Sequence, residues 1–335
     1  MGIKFLNRFL REECSSAIQM IPISQLTGKK IAVDISIYLY KYSGENLLIE
    51  NIYLMLSIFR YYQIIPVFIF DGKPPIEKRE LLQKRREDKK IAEHEYQQLK
   101  IKLTSSETMI DDSEKQDIQN QMDVLKKKFI CLKKETIDEV KQLMRAYGAT
   151  YYDAPGEADE ICAALVMKNK VWACLSEDTD LFVYGCPRVL RYFSLLNHTV
   201  IFYDLVKILD KLDMNENELR EICVLSGTDY NNSINMMDYT NHSKNNNTIH
   251  HSLSLFKKYR MKKENSEQSF YDWLSLNTDF IQDYNLLMNV KSMFHCDPCK
   301  IKVFENICFM NGPIMKEDIH AILKKDGFLI DLFHF

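Results

Sequence analysis

"VFIFDGKPPIEKRELLQKRR", Val67 to Arg86, decides the reading of the chain. A wholly apolar run ends on one aspartate, Asp71; a Gly-Lys-Pro-Pro turn follows, and then a segment dense in Lys and Arg. The Gly-Lys-Pro-Pro turn separates a strand ending at 70 from a helix starting near 76. The run "IIPVFIF" (64–70) is apolar on both faces, which suits a parallel sheet covered on two sides. A carboxylate at the mouth of a buried strand, with cations directly behind it, is the pattern that needs a reason.

Outward from this stretch, strands and helices alternate. "KIAVDISIYLY" (30–40) reads as a buried strand running into a helix, and "NIYLMLSIFRYY" (51–62) carries Ile52, Met55, Leu56 and Phe59 at helical spacing. From 76 to about 147 the chain is charged and helical, with a polar break at "TSSETMIDDSE" (104–114). Ile137, Val140, Met144 and Tyr147 make an apolar stripe that Gly148 terminates. "ATYYDAP" (149–155) is a short strand, "GEADEICAALVMKNK" (156–170) a helix, "VWACL" (171–175) a third buried strand, and "NENELREICVLSG" (215–227) another helix. The asparagine-rich 231–247 reads as a loop, and helices are expected near 252–263, 280–294 and 314–325. The fold class is α/β: a mostly parallel central sheet covered by helices on both faces, with a helical insertion and a helical C-terminal part.

Composition narrows the function. Net charge is −3 over 335 residues, so a nucleic-acid surface has to be local. Between Lys73 and Lys102 stand ten Lys or Arg and six Asp or Glu, a local net of +4. Nine scattered cysteines read as reduced intracellular thiols. Only Cys296 and Cys299 form a C-x-x-C, and a tetrahedral zinc site would have to recruit His295 and Cys308 as well. No secretory signal or apolar run of about 20 residues is visible, so no membrane partner is expected. Met1-Gly2 lacks the Ser or Thr of a myristoylation motif, because Leu6 stands in its place.

Acids recur where the strands end. Asp34 lies in "IAVDISI", Asp71 follows "VFIF", and Asp178 and Asp180 follow "VWACL". In an open parallel sheet, ligands bind outside the carboxyl ends of the strands, so these side chains could converge. Glu157 and Asp159 sit in the first turn of a helix, and Asp229 just past the end of another. So many carboxylates cannot share one pocket uncompensated, and hard divalent cations would relieve their repulsion. Oxygen donors without His or thiolate favour Mg²⁺ or Mn²⁺ over zinc. Two such ions are the usual machinery for in-line attack on a phosphodiester. Each acid by itself could equally be a turn, a cap or a complement to a helix dipole. The basic helix by itself could be a solvated face laced with i,i+4 pairs such as Glu80–Lys84.

Taken together, the motifs "MGI", "AVDISIYLY", "VFIFDGKPPIEKRELLQKR", "YYDAPGEADEICAALV", "SEDTDLFVYG" and "LSGTDY" resemble the flap endonuclease family. These are structure-specific 5′ nucleases of the XPG/Rad2 type, with a PIN-like fold. The match runs over about 1–230. It implies a nuclease core carrying an inserted helical arch at about 73–134, and a divergent region over 231–335. It also implies Mg²⁺-dependent flap or 5′–3′ exonuclease activity at junctions of single-stranded and duplex DNA, in replication, repair or recombination. Asp34, Asp71, Glu157 and Asp159 match the acids around the first of two metals, and Asp178, Asp180 and Asp229 those of the second. The family usually has Glu at the place of Asp159. Helical spacing alone would pair Glu157 with Glu160 on one face, and both choices stand at this point. Lys78 and Arg85, seven apart and so on one helical face, match basic residues that contact the scissile phosphate and stabilise its charge. Tyr40 matches an aromatic on which a base stacks, and Gly2 a glycine packed at the active site.

After Asp229 the resemblance thins. The family's Gly-Ile-Gly turn, which holds a monovalent cation and grips duplex DNA, has no counterpart, since no glycine stands between Gly227 and Gly312. Lys244, Lys257, Lys258 and Arg260 could still contact a duplex. Lys126, Lys127, Lys128, Lys133 and Lys134 suit the descending side of the arch or a solvated face equally. The tail "DGFLIDLFHF" resembles a sliding-clamp-binding segment through Leu329 and Phe333, but has Asp326 in place of Gln. The resemblance implies a monomer located in the nucleus, or in the cytoplasm for a microbial or viral source. Two other classes compete. A catalytically inactive DNA-binding paralogue would be expected to lack one of the acids. A dehalogenase-type phosphatase needs Asp-x-Asp after the first strand, where this chain has Asp34-Ile35-Ser36.

Overall fold

The computed structural model describes residues 2–105, 112–231, 248–262 and 268–327. The asparagine-rich stretch from 232, Lys244 and the tail from 328 lie outside the described residues. The strands are β1 (Ile18–Pro22), β2 (Lys30–Asp34), β3 (Ile65–Phe70), β4 (Thr150–Asp153), β5 (Ala173–Leu175), β6 (Arg188–Ser194) and β7 (Thr199–Asp204). The helices are α1 (Leu6–Glu13), α2 (Ser36–Gly44), α3 (Leu48–Tyr61), α4 (Arg79–Ser105), α5 (Asp112–Lys128), α6 (Lys134–Ala146) and α7 (Ala158–Met167). They continue as α8 (Asp180–Tyr184), α9 (Leu205–Leu212), α10 (Glu216–Ser226), α11 (Thr248–Lys262), α12 (Phe270–Asn277), α13 (Tyr284–Met293) and α14 (Lys316–Lys325).

The strands form one sheet in the order β1-β7-β6-β5-β2-β3-β4. Pairings across β6-β5-β2-β3-β4 are parallel, and those of β7 with β6 and β1 are antiparallel. The sheet is therefore mixed but mostly parallel. β3 shows why an unbroken apolar run was needed. Val67 and Ile69 belong to the core cluster that also holds Ala158 and Ile161 of α7. Phe68 points the other way and packs on Phe59 of α3, ring centroids 6.5 Å apart. Full burial of each such side chain contributes about 1.5–3 kcal/mol.

β2, β3, β4 and β5 are the strands legible as sequence. β1, β6 and β7 are additional. In β6 the alternation breaks at Tyr192, whose φ is 56°, and the pairing register with β7 shifts between Arg191 and Ser194. β1 lies at the sheet edge and ends in a proline, as edge strands tolerate. α1, α8, α9 and α12 are likewise additional.

Contacts divide the chain into two compact units. The first comprises Met1–Ile35, Ile58–Lys73 and Thr150–Asn311, and the second Ser36–Ser57, Pro74–Ala149 and Gly312–Phe335. The first holds the sheet. α11 and α13 pack on α10 within it.

The second unit contains the long α4, 27 residues or about 40 Å. α5 returns alongside it. Tyr96 meets Phe129 edge to face at 5.4 Å, and Lys89 Nζ donates to the Ile130 carbonyl at 2.8 Å. α14 packs on α6 in the same unit, where the Gly312 N–H donates to the Gly148 carbonyl at 2.7 Å.

Candidate active site

The acids are set by neighbouring strand ends. β5, β2 and β3 are adjacent, spaced about 4.8 Å apart. Asp34 closes β2 and pairs level with Ile69, two residues before Asp71. Ser176 follows β5 directly. Its hydroxyl donates to Asp34 Oδ2 at 2.8 Å and accepts from the Asp178 N–H at 3.0 Å. Asp178 Oδ1 in turn accepts from the Asp180 N–H at 3.0 Å. Ser176, Asp178 and Asp180 of the "SEDTD" segment thus form a chain of side-chain-to-backbone turns, each two residues on. Asp34, Asp178 and Asp180 are all buried.

Asp71 is held by the turn behind it. The Gly72 N–H donates to the Gly156 carbonyl at 2.6 Å. A Cβ on Gly72 would run into the Ala154 carbonyl and Pro155, so only glycine allows this approach. Asp71 Oδ1 then accepts from the Ala158 N–H at 2.8 Å, satisfying a donor at the start of α7. Glu157 is the N-cap residue of α7 rather than a member of its first turn, and its side chain makes no cap bond. Its carboxylate instead accepts from the Tyr230 hydroxyl. Glu160 faces elsewhere. It pairs with Lys300 Nζ at 2.6 Å and accepts from the Asp297 N–H at 3.0 Å. The one-face spacing argument for Glu160 lapses here, because Glu157 stands outside the helix.

Asp159 is the electrostatic centre of the group. Burial first, and then the charges of Asp178, Asp34, Asp180 and Asp71, hold its carboxyl well above the usual carboxylate range. Tyr184 feels the same cluster. Burial, then Asp159, Glu160, Asp180 and Glu157, push its hydroxyl well up. Tyr230 is raised by burial and by its neighbours Tyr184 and Glu157, and so remains a hydrogen-bond donor. Asp229 enters through its flanks. The Asn231 side chain accepts from the Thr228 N–H at 2.6 Å and from its hydroxyl at 2.8 Å, and Thr228 Oγ1 accepts from the Tyr230 N–H at 3.1 Å.

Among the described residues, no three His, Cys, Asp or Glu side chains form a ready cage for one ion. The donor set nevertheless suits a hard cation. It is all oxygen, and Asp159 Oδ1 is buried with no hydrogen-bond partner among the described residues. A buried carboxylate oxygen in that condition is unfavourable until a positive charge meets it. Gly2 abuts the same acids. Its φ is +80°, and a Cβ there would strike the side chains of Asp178, Thr179 and Asp180.

The remaining candidates are placed as follows. Lys78 ends a short 3₁₀ turn just before α4 and is buried, while Arg85 is half-buried on α4. Tyr40, on α2, is 45% exposed with Lys89 Nζ 5.2 Å from its ring centroid. Lys257 and Lys258 are exposed on α11, whereas Arg260 is engaged by Asp213 and Glu218, each at 3.0 Å. Lys126 reaches Asn46 Oδ1 at 3.2 Å. No described helix is long and apolar enough to cross a membrane. Sequence reasoning missed Ser176, Tyr230 and Asn231. Only the Ser-x-Asp-x-Asp spacing could have pointed to the first of them.

A mostly parallel sheet with acids along its carboxyl edge defines the PIN-like class of 5′-nuclease folds. The catalytic core of Rad2 in complex with DNA substrate superposes with a TM-score of 0.62 at 23% identity, over 97% of this chain and 94% of that one. Flap endonuclease-1 from Methanococcus jannaschii gives 0.53 at 19% identity, over 92% and 96%. Residues 1–92 match the XPG N-terminal domain and 148–229 the XPG I-region. Flap endonuclease 1 of Homo sapiens is 31% identical over 252 residues, covering 70% of this chain and 63% of the relative. That of Meyerozyma guilliermondii is 30% identical over 249 residues, covering 69% and 63%. The chain belongs to the XPG/Rad2 flap endonuclease family. It spans about three fifths of the length of these curated relatives.

Proposed function

We propose that the chain is a Mg²⁺-dependent, structure-specific 5′ nuclease that hydrolyses a DNA phosphodiester where a duplex meets a 5′ flap or free end. The observation that carries this reading is the linkage of Asp34 through Ser176 to Asp178 and on to Asp180, with Asp71 bound at the start of the helix that carries the buried Asp159. Asp34, Asp71, Glu157 and Asp159 would hold one Mg²⁺, and Asp178, Asp180 and Asp229 a second, with Mn²⁺ as a substitute. When bound, the ions supply Lewis-acid stabilisation of phosphate charge.

The protein's own groups orient the substrate. Lys78 and Arg85 carry positive charge to the scissile phosphate, Tyr40 offers a stacking face, and Gly2 leaves room beside Asp178 and Asp180. Lys257 and Lys258 contact the duplex backbone without reading its sequence. The role is in replication, repair or recombination, by a monomer located in the nucleus, or in the cytoplasm for a microbial or viral source. A sliding clamp is a further partner, through the tail from Asp326.

The test uses a 5′-labelled flap duplex, a blunt duplex and a small phosphomonoester with Mg²⁺. Release of a short oligonucleotide from the flap is expected, reduced at least about 10³-fold by Asp178→Ala. Binding without cleavage would instead mark an inactive paralogue, and turnover of the phosphomonoester a phosphatase.

A further inference from the structure

We infer that Tyr230 is a positioning residue, whose hydroxyl fixes the Glu157 carboxylate and thereby ties the two halves of the acidic site together. The inference rests on the metal-dependent reading above and goes beyond it, since Tyr230 is not itself one of the acids.

Glu157 is not anchored by a cap bond. It is the N-cap residue of α7, yet its side chain makes no cap bond, and Asp71 supplies that bond at the Ala158 N–H. The Glu157 carboxylate is held instead by Tyr230, 73 residues away in the chain. Tyr230 is well placed to hold it. Its ring is buried and meets Phe294 at 5.7 Å, edge to face. Its backbone N–H donates to Thr228 Oγ1, and Asn231 ties that threonine to the end of α10 through the Val224 carbonyl, at 2.9 Å. The loop is therefore pinned on both sides of Asp229. One side chain reaches from beside an acid of the second set to an acid of the first.

A buried donor narrows the orientations open to the carboxylate it holds. Deleting the Tyr230 hydroxyl removes one of the contacts that hold Glu157 in the orientation a cation would meet. Such outer partners of metal ligands commonly change affinity or activity by about 10–100-fold when removed.

Tyr230→Phe deletes the hydroxyl and keeps the ring. Mn²⁺ binding to the DNA-free protein, measured calorimetrically, is expected to weaken about 10-fold. The Mg²⁺ concentration for half-maximal flap cleavage is expected to rise by a similar factor, with KM for the flap unchanged. In a Glu157→Gln background the same substitution should add no more than about twofold, since the partner charge is already gone. Asn231→Ala, which unties the loop but leaves the hydroxyl, should shift Mn²⁺ binding in the same direction, and it serves as the probe if Tyr230→Phe does not fold. Wild-type Mn²⁺ affinity and an unchanged Mg²⁺ requirement in the folded variant would overturn the inference alone. Equal losses with and without Glu157 would do the same. Failure of the wild type to bind Mn²⁺ at all would overturn the nuclease reading and this inference with it.

Discussion

Gly2 has no room to be anything else. Its positive φ is strained for an L side chain, and the space where a methyl would sit is taken by Asp178, Thr179 and Asp180. Gly2→Ala must push the acids apart or pull the N-terminal segment away. We expect single-turnover flap cleavage to fall about 100-fold, as a displacement of roughly 1 Å at reacting groups does. The acids themselves were legible as isolated polar residues at the ends of apolar runs. Ser176 and Tyr230 were not, because their partners lie 142 and 73 residues away and nothing local marks them. Asp159 and Glu160 show the limit of periodicity. Spacing favoured Glu160, but the helix begins at Ala158, two residues later than the sequence reading places it, and Glu160 faces Lys300.

α7 is fixed at its start by Asp71 and along its side by Glu160, whose partner Lys300 stands on the 3₁₀ segment Pro298–Phe304. Lys300→Ala leaves a buried carboxylate with only the Asp297 N–H as donor among the described residues. The pair is partly exposed on the lysine side, so we expect a loss near the low end of the range for an unsatisfied group, about 1 kcal/mol, read from the urea midpoint. Mn²⁺ affinity should not change, which separates this contact from that of Tyr230. The parallel strands β2, β3 and β5 were legible because burial on both faces demands unbroken apolar runs. β6 and β7 escaped notice because β6 buries a charged residue, Arg191, is interrupted by the left-handed Tyr192, and joins β7 through a register shift. The α4–α5 pair was legible as charged helix. Which cations reach a partner was not, since Lys89 is committed to the Ile130 carbonyl and to the Tyr40 ring.

A protein of net charge −3 concentrates much of that sign in one buried cluster, and stability should respond to cations. Mg²⁺ at ten times its dissociation constant should add about 1.4 kcal/mol and raise the melting temperature. NaCl at matched ionic strength should not, and Asp178→Ala should abolish the shift. An equal response to both salts would mean general screening rather than a site. The sheet also sets an order of events during synthesis. β1 can pair only with β7, and Thr199 of β7 follows Pro22 of β1 by about 180 residues. At roughly 5–20 residues per second, the ribosome takes about 9–36 s to deliver that partner. Through that interval the nascent chain carries an unmated N-terminal strand, so chaperone occupancy on stalled ribosomes should drop only once the β6–β7 hairpin clears the exit tunnel.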